Sequence, residues 1–121
     1  MRRLDGRVCL VTAASAGIGL AIVRRFAAEG ARVVAVDLAP YPDAVPADGP
    51  IVPIQGDMTS AADVRRAVQT CIARFGALHV LVNGVADATP ALPITELDDA
   101  LWDRALRTNV TSAFLASKAA L

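Results

Sequence analysis

The sequence predicts an α/β domain, a parallel sheet with helices packed on its faces. Three observations predict it. Short β-branched runs without polar alternation recur along the chain, as in strands buried on both sides. Segments with apolar residues at helical spacing lie between them. Turns rich in glycine, proline and aspartate separate the two kinds of segment, and strands alternating with helices assemble as parallel sheets with right-handed crossovers.

Val8–Thr12 is the first such run. A glycine-containing turn follows, then a helix with Ile18, Ile22 and Phe26 on one face, closed by Gly30 at its C-terminal position. Residues 31–36 form a second buried strand that ends at Asp37. The stretch from Leu38 to Pro50 contains Pro40, Pro42 and Pro46 and has no helical period, so it is a loop crossover. Ile51–Gln55 is the third strand. Ser60 and Asp63 make a capping-box pattern before a helix whose buried stripe is Val64, Val68 and Ile72, and Gly76 stops it. Residues 78–83 read as a fourth strand, followed by a loop through Pro90 and Pro93. Thr95 with Asp98 repeats the capping signal, and Glu96, Asp98 and Asp99 place negative charge where it favours a helix start. Helical character then runs to the end, with a break expected near Asn109. There are no repeats or linkers, so residues 1–121 are read as one domain.

Composition excludes several classes. A hydrophobic content of 55% excludes a disordered chain. Charges or prolines interrupt every apolar run short of the roughly 18 residues a membrane span needs, and no signal-peptide core is visible, so a cytoplasmic location is expected. The formal net charge is zero and the arginines are dispersed, which argues against nucleic acid or an anionic membrane as partner. His79 is the only histidine, so no metal-ligand cluster is expected and His79 is read as structural. Cys9 and Cys71 fall on apolar faces and read as reduced core residues.

The turn Thr12–Gly19 lies between a strand and a helix, the setting a phosphate-binding turn requires. The unpaired N–H groups and dipole of the helix start favour a pyrophosphate there. Gly17 lets the backbone approach the ligand and Gly19 lets helix and strand pack closely. Ala13, Ser15, Gly17, Ile18 and Gly19 are therefore candidate cofactor contacts, against the alternative of a plain turn of small residues. Asp37 stands about 20 residues beyond Gly17, where a carboxylate accepts from both ribose hydroxyls; otherwise it is a surface aspartate opening a loop. It would repel a 2′-phosphate, and neither Ala16 nor its neighbour Leu38, a further candidate contact, offers a cation. NAD is expected over NADP.

Together these segments resemble the short-chain dehydrogenase/reductase family along the whole chain. The family's TGxxxGxG motif matches Thr12–Gly19 except that Ala13 replaces its first glycine; a positive φ there would cost an alanine about 1 kcal/mol. The resemblance implies a Rossmann-type, doubly wound sheet with its first four strands in the order 3-2-1-4. Gly56-Asp57-Met58-Thr59 resembles the segment that follows the family's third strand, which implies that Asp57 bonds near the adenine, with Met58 beside it; alternatively Asp57 is a helix-entry aspartate. Residues 81–86 resemble the family's LVNNAG segment, which implies cofactor contacts for Asn83 and Gly84. Residues 102–115 resemble the long helix that carries a catalytic asparagine, which falls on Asn109; its alternative is a solvated helix-break residue. In the family this asparagine bends the helix and holds a water that contacts the catalytic lysine. Trp102 and Phe114 are read as packing residues.

The family's reaction uses Ser, Tyr and Lys, the last two spaced YxxxK. None can be placed here: Tyr41, the only tyrosine, has Val45 four residues on, and Lys118, the only lysine, has Phe114 four residues before it. The expectation is a fragment of a longer dehydrogenase, inactive alone, with the fourth strand as an open edge beside apolar helix surface. The intact protein would act on a small-molecule alcohol or carbonyl and form a homo-oligomer. Two other classes compete, a non-catalytic dinucleotide-binding module and a methyltransferase. The TxxxxGxG spacing and the settings of Asn83 and Asn109 argue against the second.

Overall fold

The computed structural model describes residues 2–87 and 90–121. Four parallel strands, β1 (Val8–Thr12), β2 (Arg32–Asp37), β3 (Ile51–Gln55) and β4 (Val80–Val82), form one sheet in the order β3-β2-β1-β4. β1 bonds a neighbour on each side, with Leu10 opposite both Val34 and Leu81. Its five residues are all buried, because both faces are covered. Alternate residues feed two cores. Val8 and Leu10 join Val34, Val36 and Val52 beneath the helices α2 (Ala61–Phe75) and α4 (Ser112–Ala120). Cys9 and Val11 join Val33, Ala35 and Val23 beneath α1 (Gly17–Ala28). Helices on opposite faces make the sheet doubly wound.

Helix ends follow the sequence signals with some shifts. Gly30 and Gly76 follow α1 and α2 with φ of 90° and 81°, as glycine permits. The Ser60 hydroxyl accepts from the Asp63 N–H at 3.3 Å, but the capping box is only half formed. The Asp63 carboxylate turns instead to the N–H of Asp57, at 2.8 Å. Before α3 (Asp99–Leu106), the cap is Asp98 itself, accepting from the Leu101 N–H at 2.8 Å. Thr95 lies in a separate 3-10 turn, Ile94–Glu96, so the cap sits three residues later than the Thr95 pattern implies. The expected break at Asn109 is a π-helical turn, Arg107–Thr111, joining α3 to α4 without interruption. Of the expected loop after β4, residues 88 and 89 lie outside the described residues.

Several expected core positions are not in the core. Ile18 is 81% exposed, because the first turn of α1 packs through Gly19 instead; the buried face is Gly19 and Val23, flanked by Ile22 and Phe26. In α2 the buried stripe is Val64, Ala67 and Cys71, and its drift around the helix leaves Ile72 51% exposed. Trp102 and Phe114 are 54% and 59% exposed: α3 buries none of its residues, and α4 turns Ser112 and Ala116 to the core instead. β4 is shorter than expected and lies at the edge of the sheet. His79 extends its pairing with β1: its N–H donates to the Val8 carbonyl and its Nδ1 accepts from the Val8 N–H, a structural role. Among the described residues no helix is long and apolar enough to cross a membrane.

The crossover between β2 and β3 is held by polar contacts. Arg24 on α1 donates twice to Asp43, at 2.8 and 2.6 Å, and Arg74 donates to the Ala47 carbonyl at 2.7 Å. Burial pushes both thiols up, Cys71 to about 11, so neither is a thiolate at neutral pH.

Two predictions follow from these contacts. A Cβ on Gly19 would lie 2.1 Å from the Ala13 carbonyl oxygen, so Gly19→Ala should lose about 3 kcal/mol or more in urea unfolding. Ser60→Ala, which removes one cap, should lose about 1 kcal/mol. The reverse ranking would contradict the packing described.

The carboxyls of Glu29, Asp43 and Asp63 are held below their ordinary range, mainly by the Arg3 N–H, the Arg24 guanidinium and the Asp57 N–H respectively. Their stabilisation is complete above about pH 4.5 and is lost as pH falls through the lowered folded values. The thermal midpoint should therefore fall on acidification below about pH 4.5, and less steeply in Asp63→Asn than in the parent. Identical profiles would contradict the Asp63 contribution.

Candidate functional site

The strands point their carboxyl ends at one edge of the sheet, where a cleft of about 380 Å³ opens. It is lined by residues that follow all four strands, among them Ala13, Leu38, Met58 and Val85, and by Thr108 of the π turn. Its position matches the crevice where β1 and β4 send the chain to opposite sides, the usual ligand site of open α/β sheets.

Thr12 builds the floor. Its Oγ1 donates to the Val82 carbonyl at 3.3 Å and accepts from the Gly84 N–H at 2.9 Å, which ties the ends of β1 and β4 together. The approach is so close that a Cβ on Gly84 would lie 2.3 Å from the Thr12 carbonyl oxygen. Ala13 then takes φ 53°, a left-handed conformation, at the position where the family motif has glycine. Gly17 has φ 53° with nothing within 4 Å of where a Cβ would stand, so its surface is open to approach. The cap residue of α1, Ala16, has no side-chain acceptor, and the first turn holds no acidic residue. The helix start therefore presents N–H groups and positive dipole uncompensated by side chains.

Asp37 ends β2 on the cleft wall. Its Oδ2 accepts from the Ser15 N–H at 2.9 Å and its Oδ1 from the Ala39 N–H at 3.2 Å. A carboxylate has about four acceptor positions, so two hydrogen bonds leave capacity for a diol. The Ser15 hydroxyl donates to the Ala39 carbonyl, joining turn to crossover a second time. Across the cleft Asp57 accepts from both the N–H and the hydroxyl of Thr59, at 2.8 and 2.7 Å, through one oxygen. Met58 lines the cleft while its side chain sits in the α2-side core.

Asn109 does not line the cleft but secures its far wall. Its Oδ1 accepts from the Asp87 N–H at 3.0 Å, and its Nδ2 donates to the carbonyls of Ala105 at 2.9 Å and Asp87 at 3.4 Å. Arg104 pairs with the Asp87 carboxylate at 3.4 Å. The asparagine is thus a splint between the π turn and the segment after β4, with both amide protons engaged. Asn83 turns its amide toward Ser117 on α4 at 3.4 Å, away from the cleft, and Gly84 is held by Thr12.

The cleft thus gathers Ala13, Asp37, Leu38, Asp57 and Met58 from the expected set, with Ser15, Gly17, Ile18 and Gly19 on the adjoining turn and helix start. Sequence reasoning missed Asp87 and Thr108 as lining residues, and Arg107, whose guanidinium donates to the Thr59 carbonyl at 2.9 Å. Only the fold brings these together, and no local spacing marks them. Thr12 was legible as part of the turn, but not as the link to β4.

Comparison with known proteins agrees with this arrangement. The family profile described as short chain dehydrogenase matches residues 7–121. The chain is 40% identical to a D-threitol dehydrogenase of Mycolicibacterium smegmatis, over 97% of this chain and 47% of that protein. It is 35% identical to a cis-2,3-dihydrobiphenyl-2,3-diol dehydrogenase of a Pseudomonas species, over 98% and 46%. Among solved structures, a short-chain dehydrogenase/reductase from Serratia marcescens superposes with a TM-score of 0.85 at 37% identity, over 97% of this chain and 52% of that one. A glucose/ribitol dehydrogenase of Brucella melitensis gives 0.89 at 31%, over 97% and 51%. The chain spans about half the length of the relatives it matches. With its sheet order, its glycine turn and the profile match, the chain belongs to the short-chain dehydrogenase family of oxidoreductases.

Proposed function

We propose that the cleft binds NAD and that the protein is an NAD-dependent oxidoreductase of small alcohol or carbonyl compounds. The pyrophosphate lies at the Ala13–Gly19 turn and the start of α1, the adenosine ribose on Asp37, and the adenine between Leu38 and the Asp57–Met58 segment. Gly84 borders the cofactor at the end of β4, while Asn83, turned toward Ser117, supports that segment from the α4 side. The observation that carries the reading is Asp37, a carboxylate on the cleft wall whose Oδ2 is hydrogen-bonded to the glycine turn itself. The residues fit the group: Gly17 leaves open space, Ala13 already adopts the conformation the turn demands, and the helix start offers N–H donors. NAD supplies the hydride acceptor of the reaction. Asn109 contributes by holding the π turn against the segment after β4, and it is the one member of the family's catalytic set that this sequence matches.

Tyr41 packs against the α1-side core and burial pushes its phenol up, while Lys118 lies over the Phe114 ring on α4, across the sheet. No Tyr–Lys pair forms from them, which supports the reading that residues 1–121 alone bind cofactor without turning over an alcohol. The same observation favours, as a second reading, a non-catalytic dinucleotide-binding module. Enzyme and module part at the substrate: both bind NAD, but only the first oxidises an alcohol in the natural full-length product. A homo-oligomer in the cytoplasm is the expected state, joined through the exposed Trp102, Leu106, Val110 and Phe114 of the last helices.

Calorimetric titration tests the cofactor. The parent should bind NAD at least about tenfold more tightly than NADP, the factor expected of charge-assisted hydrogen bonds. Asp37→Ala should bring the two affinities within about threefold. Tighter binding of NADP by the parent would overturn the assignment.

A further inference from the structure

We propose that Arg107 is a positioning residue for the adenine end of the cleft, acting through Thr59 on Asp57. The inference rests on the dinucleotide reading above and adds to it a residue that does not line the cleft. The π turn presents three successive side chains to three places. Thr108 faces the cleft, and because successive residues of a helical turn point in different directions, its two neighbours reach to either side. Asn109 takes the Asp87 backbone on one wall. Arg107 takes the other, its guanidinium donating to the Thr59 carbonyl at 2.9 Å.

Thr59 is a relay because all its polar groups are used. Its N–H and hydroxyl both donate to a single oxygen of Asp57, at 2.8 and 2.7 Å, and its carbonyl is held by Arg107. Asp57 is fixed in turn from behind, its N–H donating to Asp63 on α2. The Asp57 carboxylate that borders the cleft is therefore aimed by Thr59, and Thr59 is anchored to the π turn by one charged donor. Without that donor the Thr59 carbonyl returns to solvent, and the Asp57 and Thr59 wall loses its tie to the π turn, keeping those to α2, to β2 through the Gly56 N–H and to the core through Met58. One helical turn thus holds both walls of the cleft and sets its width. Arg107 is exposed and contributes little to the core, so its removal leaves the fold intact.

The test is calorimetric binding of ADP-ribose to the chain and to four variants: Arg107→Ala, Arg107→Lys, Asp57→Ala and the double variant Arg107→Ala/Asp57→Ala. Arg107→Ala should weaken binding roughly tenfold, the scale of one charge-assisted hydrogen bond. Arg107→Lys, which keeps a donor for the Thr59 carbonyl, should stay within about threefold of the parent. In the Asp57→Ala background the further loss should shrink to less than about twofold, because residues acting in series are not additive. Unchanged binding by Arg107→Ala, or full additivity with Asp57→Ala, overturns the proposal while leaving the dinucleotide reading intact. A ligand-free melting temperature lowered by more than about 5 °C in Arg107→Ala would mark it as a determinant of the fold and overturn it too. Failure of the parent to bind ADP-ribose overturns the dinucleotide reading, and this proposal with it.

Discussion

The backbone carbonyls of Thr12 and Ala13, at the end of the central strand, are the constraint on which the rest of the cleft depends. One is so close to residue 84, and the other to residue 19, that neither position has room for a Cβ. The first contact fixes how β4 lies against β1, and the second how α1 leaves the sheet. β1 can impose both because it is hydrogen-bonded on each side and buried on each face. Ala13 accepts a left-handed backbone, at a cost of about 1 kcal/mol, because its neighbours on every side are already in place.

Beyond that point the site is assembled by hydrogen bonds from backbone to side chain rather than by packing. Asp37 captures the N–H groups of Ser15 and Ala39, Asp57 that of Thr59, Asp63 that of Asp57, and Asn109 that of Asp87. The bonds of Asp37, Asp63 and Asn109 join loops at the carboxyl edge to a strand or helix, and the Asp57–Thr59 bond stiffens the loop between β3 and α2. This is how a surface composed of loops keeps a defined shape. The carboxylates that do this work are partly exposed, so their individual contributions to stability are screened, and their effect lies in geometry. The cleft is thus a rigid scaffold with charged splints, suited to binding a ligand with little rearrangement.

Much of this was legible in the residues themselves. Unbroken β-branched runs marked the strands, and Gly30 and Gly76 marked the helix ends. Asp37 could be placed at the tip of β2 by counting from the glycine turn. Finer assignments failed where a tertiary surface, not periodicity, chooses the buried face. Ile18 and Ile72 have the right spacing, but Gly19 takes the contact in the first turn of α1 and the buried stripe of α2 runs through Ala67 and Cys71 instead. Thr95 has capping chemistry, yet Asp98 caps because the helix begins later. Trp102 and Phe114 look like packing residues by type, but α3 buries nothing and α4 buries its small residues Ser112 and Ala116 instead.

What the sequence by itself determined was the class of fold, the family, and the places where the chain must turn, because these follow from local conformational preference and a motif read in order. What only the tertiary structure decided was which turns meet. The approach of Gly84 to Thr12, the capture of Asp87 by Asn109 and the reach of Arg107 to Thr59 join residues separated by 72, 22 and 48 positions. No local spacing encodes such meetings, since they depend on strand order and on the path of a helix across the sheet. The residues of the Thr12–Gly19 turn mark the place where strand gives way to helix, and the fold gives that turn its walls.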